Sequence, residues 1–507
     1  MIANSKSFIP LGFNAALIEI EGDKSHGLPG FNIVGMAAKT VSEARERVKS
    51  ALHSSSFKFP TEKLTINLAP ADLTKDGSYL DLAIAINVLI LSGQLRQEDV
   101  KDSAFIGELS LSGKLRPVRG IINLAEAAKS SNIKRLFIPI KNFTQASLVR
   151  GIKLIPISSL QELYYYFKNQ ISIPLPSQNV VKNTETVVDS PSFDQIYGQE
   201  LAKRALSIAI AGRHNILLSG PPGTGKTMLA RAALNLLPPL SSTEQISVTK
   251  LHSLAGLADD VITNRPFRSP HHTISLIALV GGGPKATPGE ISLAHSGALF
   301  LDELPEYPRS LLESLRQPLE DHKISIARAN LKTTYPADFM LIATMNPCPC
   351  GYLGDPVHPC TCSLSQIEAY RKKLSGPLMD RIDIFTEVGR IETSKFLISD
   401  SQNHQNLNVV KNTIKDALTA QSNRYGNSNT FNASIPSHQI NAKFALSDIS
   451  KKFLDTAATS LNLSARSYFK VIKVARTIAD LDSSPSINPS HLTEALSYRY
   501  KSAKNAL

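Results

Sequence analysis

Gly220-Pro221-Pro222-Gly223-Thr224-Gly225-Lys226-Thr227 decides the reading of this chain. The stretch has the G-x-x-x-x-G-K-T spacing of a phosphate-binding loop. The run before it, Asn215-Ile216-Leu217-Leu218-Ser219, predicts a short buried strand. The run after it, Met228 to Leu234, predicts a helix that Pro238-Pro239 stops. Strand, glycine loop and helix together are the context the motif requires. Backbone N–H groups close around phosphate oxygens, and the helix N-terminus adds positive potential. Gly220 to Thr227, with Met228, are therefore the candidate nucleotide-binding residues. Lys226 is expected to reach the β/γ-phosphates and Thr227 to ligate Mg²⁺.

Further downstream, Ala298-Leu299-Phe300-Leu301-Asp302-Glu303 is a continuous apolar run ending in two acids, the form of a buried parallel strand. Asp302 is expected in the Mg²⁺ shell, and Glu303 is expected to orient and polarise the attacking water. Met340 to Met345 predicts another buried strand, ending in Asn346, whose polar side chain is suited to placing that water. Pro377-Leu378-Met379-Asp380-Arg381-Ile382-Asp383 carries Arg381. An arginine here can stabilise charge on the γ-phosphate of a neighbouring subunit, or form an Asp/Arg surface pair.

The 507 residues carry 55 Lys and Arg against 43 Asp and Glu, a formal charge of +12. That balance suits a polyanionic track such as DNA or RNA, and equally a solvated basic surface. With 42% hydrophobic and 19% charged residues the chain reads as an ordinary globular protein of several domains. No apolar run is long enough to cross a bilayer as a helix. Met1 to Phe13 lacks the basic and apolar regions of a signal peptide, so a cytoplasmic location is expected.

The four cysteines all fall between Cys348 and Cys362. Cys348-x-Cys350 and Cys360-x-Cys362 flank a loop, an arrangement that folds four thiolates around one structural zinc or leaves four reduced thiols. The spacing is tighter than the common C-x₂-C, and His358 could substitute for one cysteine. Two basic regions stand out within the same unit. Gly281-Gly282-Gly283-Pro284-Lys285 is a glycine-rich loop in an irregular insertion, His252 to His295, that also holds His271 and His272. Those two histidines read as loop residues rather than metal ligands, since no carboxylate or Cys follows at ligand spacing. Lys323 to Thr334 alternates Ile324 and Ile326 with polar residues and turns near Ala329-Asn330, which predicts a β-hairpin. Lys323, Arg328 and Lys332 on it, together with Lys285, are the candidate DNA-binding residues; the alternative is a solvated hairpin face.

The domain reading follows. Residues 1–170 mix predicted strands (Ala16–Ile20, Leu64–Leu68) with helices (Thr40–His53, Leu80–Leu91, Ile121–Ser130) and form an α+β unit. Residues 171–192 are a Pro/Ser/Asn-rich linker, 193–390 the α/β nucleotide-binding core, 391–440 a polar connector with a helix over Val409–Ala420, and 441–507 a three-helix lid.

In the first unit Lys75-Asp76-Gly77-Ser78-Tyr79, Ile106 to Gly113, Arg116 to Gly120 and Leu136-Phe137-Ile138-Pro139 resemble the protease domain of the Lon family. The resemblance implies a ribosomal S5 domain 2-like fold. It also implies a nucleophilic Ser and a Lys where this sequence has Tyr79 and Leu124, so the domain reads as catalytically silent. Over the full chain, GPPGTGKT, RPFRSPHH, PGEISLAHSGALFLDELPE, LRQPLED, ATMNPCPCG, PLMDRID and SARSYFKVIKVARTIADL stand in the order found in the ComM/YifB family of magnesium-chelatase-like AAA+ proteins, which the chain resembles. The resemblance implies a hexameric AAA+ ring that uses ATP and Mg²⁺. It implies single-stranded and branched DNA, and recombination proteins, as partners. The implied role is branch migration during integration of incoming DNA in natural transformation. It gives Tyr197 a place beside the adenine, Asn346 the sensor 1 role and Arg466 the sensor 2 role. A chelatase-type ATPase acting on a protein partner, and an ATP-dependent protease, are the competing readings.

Overall fold

Alternating apolar residues in the first unit fold into sheets, as the sequence predicts. The computed structural model describes residues 2–35, 43–75, 77–176, 191, 193–283, 286–328, 331–390 and 407–500. β1 (Ile2–Leu11) and β2 (Asn14–Ser25) form a hairpin closed by the pair Leu11↔Asn14. β3 (Gly30–Val34) runs parallel to β4 (Lys63–Ala69), which pairs antiparallel with β2 and gives the order β1-β2-β4-β3. Leu64, Ile66 and Leu68 of β4 point into the core. The helix Asp81–Leu91 is buried at every position, as an apolar run on all faces requires. Its one acid, Asp81, accepts two N–H groups of Arg47, at 2.8 and 3.0 Å. β5 (Ser103–Phe105) joins a second, parallel sheet, with a short ladder of β6 (Glu108–Leu109) and β7 (Leu115–Arg116) beside it. β8 (Arg135–Pro139) and β9 (Lys153–Ile157) complete that sheet, in the order β5-β8-β9. The helix expected from Thr40 is described from Ala44 to Ser54; Ser42 and the neighbouring residues lie outside the described residues.

The nucleotide-binding core is one parallel sheet. Its strands are β10 (Ile216–Ser219), β11 (Phe267–Arg268), β14 (Ala298–Leu301), β17 (Met340–Met345) and β18 (Ile384–Glu387), in the order β11-β14-β17-β10-β18. β12 (Gly281–Gly282) and β13 (Thr287–Pro288) make a small ladder inside the insertion. β14 and β17 are buried along their whole length, which is why both read as unbroken apolar runs. The phosphate-loop strand lies between β17 and β18, with β14 one strand further on, and because the strands are parallel all of them end at the same edge of the sheet. β15 (Lys323–Arg328) and β16 (Leu331–Pro336) form the expected hairpin, in register from Lys323↔Pro336 to Arg328↔Leu331.

Three helices close the chain, Asp448–Ser460, Ala465–Leu481 and Pro489–Ser497. The helix expected at Val409–Ala420 runs from Leu407 to Tyr425. Ile414 and Ala417 share a core with Ile216, Leu218 and the C-terminal helices, so this helix is packed rather than a loose connector. Its apolar residues recur at helical spacing within a polar sequence, and composition alone hides that pattern. Residues 177–190 of the predicted linker lie outside the described residues.

The candidate nucleotide site

Gly225 caps the N-terminus of the helix Lys226–Ala232 with φ of 86°, a left-handed conformation that favours glycine. The chain can therefore turn from β10 into a helix whose first N–H groups face the loop. Lys226, 8% exposed, folds over that loop. Its ammonium donates to the carbonyls of Gly220 at 2.6 Å and Pro221 at 2.8 Å, and to Asn346 Oδ1 at 3.2 Å. Burial draws its pKa down, opposed by the charges of Asp302 and Glu303. The structure thus brings Lys226, Asn346 and the two acids together.

Thr227 Oγ1 donates to Asp302 Oδ2 at 3.0 Å. The two oxygen groups predicted to serve Mg²⁺ are adjacent, and hard oxygen donors of this kind suit that cation. Asp302 Oδ1 accepts the hydroxyl of Thr344, which is fully buried on β17. The same Thr344 oxygen accepts the backbone N–H of Glu303 at 2.9 Å. Glu303 stands at φ 52°, ψ 53°, so the chain turns sharply at the strand end and separates the two carboxylates. Sequence reading missed Thr344. Its signal is one hydroxyl in the otherwise apolar run Met340-Leu341-Ile342-Ala343-Thr344-Met345.

Tyr197 is 42% exposed just before the helix Glu200–Gly212, and Met228 is 47% exposed on the loop helix. Gln199 Nε2 donates to the carbonyl of Gly389 at 2.6 Å, which ties this segment to the end of β18.

Arg381 and Arg466 are not beside Lys226 of their own chain. Arg381 donates to the carbonyls of Arg316 at 3.0 Å and Pro377 at 2.6 Å, and to the carboxylate of Glu320. Arg466 Nη2 lies 3.8 Å from the same carboxylate. Both line a cleft of about 540 Å³ with Asn215 and Asp383. Asn215 precedes β10, whereas the phosphate loop follows it. At about 3.3 Å per residue the length of the strand separates the arginines from Lys226. Glu320, which gathers the two arginines, lies in the stretch LRQPLED, Leu315 to Asp321, whose place in the motif order marks the resemblance but gives the acid no role.

The four cysteines converge. Sγ–Sγ separations are 3.4 Å for Cys348–Cys350 and 3.6 Å for both Cys348–Cys360 and Cys350–Cys360. All four sulfurs lie within 4.8 Å of one another. A disulfide is far shorter, at about 2.05 Å. Zn–S bonds of about 2.3 Å in a tetrahedron put sulfurs roughly 3.8 Å apart, so the donor set fits zinc. A Cβ added at Gly351 of this cluster would stand 2.7 Å from Pro222, so the cluster packs against the phosphate loop. Among the described residues it is the only cluster of three or more His, Cys, Asp or Glu side chains placed to share one metal ion. The rings of His271 and His272 lie against each other, centres 4.0 Å apart and planes inclined at 35°.

Arg265 and Arg268 of the RPFRSPHH stretch hold structure. Arg265 makes a buried bidentate pair with Glu244 at 2.7 and 2.9 Å, and Arg268 a half-buried bidentate pair with Glu290 at 2.6 and 2.7 Å. On the hairpin, Ile324, Ile326, Thr333 and Tyr335 are buried, while Lys323, Ser325, Lys332 and Thr334 are exposed. The two lysines thus share one face with two hydroxyls. The side chain of Arg328, and Lys285 altogether, lie outside the described residues.

Residues 192–396 match the family model described as magnesium chelatase, subunit ChlI. Residues 20–142 match subunit ChlI of Mg-chelatase, and 405–499 match its C-terminal part. The chain is 43% identical over 494 residues to the competence protein ComM of Haemophilus influenzae, covering 96% of each. It is 41% identical over 495 residues to the protein YifB of Escherichia coli, covering 96% of this chain and 95% of that one. The magnesium-chelatase 67 kDa subunit of Heliobacterium mobile is 28% identical over 183 residues, 30% of this chain and 27% of that one.

Proposed function

Because this chain belongs to the ComM/YifB family of magnesium-chelatase-like AAA+ ATPases, we propose that it is an ATP-driven DNA motor. In this reading a homohexameric ring in the cytoplasm draws one strand through its pore and extends heteroduplex at junctions while incoming DNA is recombined. The named competence relative supports the setting. The observation that carries the reading is the hairpin. Its buried face packs in one core with β14 and β17, the strands that carry Asp302, Glu303 and Thr344, while its exposed face presents Lys323 and Lys332. Movement at the acids and movement at a phosphate-binding face are then mechanically joined.

The chemistry assigned to the residues is direct. Glu303 polarises a water and takes up its proton as the water oxygen attacks the γ-phosphorus; the β–γ bridging oxygen leaves on ADP. Lys226 neutralises charge on the phosphates, and Thr344 holds both acids in place. Thr227 and Asp302 would hold Mg²⁺, which when bound supplies charge neutralisation between the β- and γ-phosphates. Tyr197 borders the adenine. Arg381 and Arg466, remote from their own loop, complete the site of the next subunit. Cys348, Cys350, Cys360 and Cys362 would hold a structural zinc, which would stiffen the segment that packs on Pro222 of the phosphate loop. The first unit is a silent relative of the Lon protease domain: Ser78 donates to Glu108, and Lys75 to the carbonyl of Pro70, rather than to each other.

Displacement of a labelled strand from branched DNA tests the reading. Wild-type protein with ATP should displace it, and Lys226→Ala and Glu303→Gln proteins should not. Equal displacement by either variant would overturn the motor assignment. The partial match to a magnesium-chelatase subunit keeps a second reading, remodelling of a protein partner. ATPase activity indifferent to DNA would favour that one.

A further inference from the structure

The turn between β1 and β2 meets the pore hairpin. Gly12, at φ 61°, has no room for a side chain: an added Cβ would lie 2.1 Å from Thr333 Oγ1 and 2.5 Å from Thr333 Cβ. The next residue, Phe13, donates its backbone N–H to Thr333 Oγ1 at 3.1 Å. Its ring meets Tyr335 edge-on, with centres 5.9 Å apart. Thr333 and Tyr335 are on β16, and both point away from the lysine face. Tyr335, 1% exposed, also donates its hydroxyl to the carbonyl of Ala286 at 2.6 Å. The contact stops two pairs short of the hairpin's end, below Ala327↔Lys332 and Arg328↔Leu331.

The other side of that turn is held with equal care. Asn123 donates to the Phe13 carbonyl at 2.6 Å. The ammonium of Lys250 stands 4.1 Å from the centre of the Phe13 ring and is paired with Glu126. Lys250 belongs to the helix Ser242–Ala255, which the first unit grips again three residues on, near its C-terminus. There Ser253 donates to Gln145 Oε1 at 2.9 Å and accepts the N–H of Gly120 at 3.0 Å. The N-terminal unit therefore holds two separate parts of the ATPase unit, that helix and β16, and Phe13 sits where they meet.

We propose that the N-terminal unit is a brace for the pore hairpin, with Phe13 as a positioning residue that fixes β16 so that hydrolysis moves the lysine face instead of bending the hairpin. A hairpin of two strands is marginally stable by itself and needs packing to act as a rigid lever. Here part of the packing on one arm, β16, comes from a different unit. The proposal rests on the DNA-motor reading for its consequence, but the brace itself does not.

The test uses full-length protein carrying Phe13→Ala, with Thr333→Val as a second variant that keeps the shape of the side chain and removes the acceptor. Backbone amide hydrogen exchange of residues 331–335, and strand displacement per ATP hydrolysed, are measured alongside DNA-free ATPase activity. In Phe13→Ala, exchange in β16 should rise about tenfold or more, as local opening becomes easier. Displacement per ATP should fall by a similar factor, while DNA-free hydrolysis stays within about twofold. Thr333→Val should shift exchange in the same direction. Unchanged exchange in both variants overturns the brace. Raised exchange with unaltered displacement per ATP overturns its role in coupling. Absence of displacement by wild-type protein would instead sink the motor reading and leave the exchange result to decide the brace.

Discussion

The backbone N–H of Glu303 donates to Thr344 Oγ1 at 2.9 Å, and the same hydroxyl donates to Asp302. One buried threonine on the neighbouring strand thus fixes both acids. Thr344→Val keeps the volume and removes both bonds. It leaves the Glu303 N–H and one Asp302 oxygen unsatisfied, a loss of about 1–3 kcal/mol each where burial is complete. ATP turnover should fall at least tenfold with little change in KM, because the acids act on the transition state rather than on binding. Steady-state phosphate release checks this; an unaltered kcat would remove Thr344 from the site.

Arg381 and Arg466 converge on Glu320 at the far end of the sheet from Lys226, so each site should need two subunits. Arg381→Ala should lower ATPase activity by about 10³-fold, the scale of a lost arginine finger. Mixing Lys226→Ala with Arg381→Ala protein should restore part of the activity, since some interfaces then pair an intact loop with an intact arginine. No recovery, with mixed rings verified by native mass spectrometry, would contradict completion in trans.

The sulfur separations predict one zinc per chain. Metal analysis of purified protein should find it, and Cys348→Ser protein should lack it. Removal by a strong chelator should lower Tm and slow ATP hydrolysis, because the cluster packs on Pro222 of the phosphate loop. Metal-free protein with full stability and activity would leave four reduced thiols.

His295 gives a pH signature. Its Nδ1 accepts the backbone N–H of Asp338 at 3.2 Å, which requires that nitrogen to be unprotonated. Burial first of all, with Arg213 and Arg265 adding repulsion against the pull of Asp338 and Glu244, lowers its pKa to about 4. The folded value lies below the unfolded one of about 6.5, so the unfolded chain binds more protons between those values. Stability is therefore intact above pH 6.5 and is lost as pH falls toward 4. The loss from this residue is on the order of 2 kcal/mol between pH 7 and pH 5. In His295→Asn, which keeps an acceptor, the slope of stability against pH in denaturant titrations should flatten by that amount; identical slopes would contradict it.

The sequence by itself determined the parallel core and most of the nucleotide site. A phosphate loop, an apolar strand ending in Asp302-Glu303 and a second strand ending at Asn346 are local patterns, because each function sits at the end of a strand whose burial leaves a continuous apolar run. The hairpin and the four cysteines were legible for the same reason, as alternation and as spacing. Only the tertiary structure decided what lies opposite what. Thr344 gains its role from a neighbouring strand, Glu320 from two arginines that come from separate elements, and Phe13 from a threonine 320 positions away. A motif such as ATMNPCPCG can contain one of these residues, as it does Thr344, without showing what the residue meets. Their meaning depends on which elements pack together, and that is settled by burial of the whole core rather than by any one stretch.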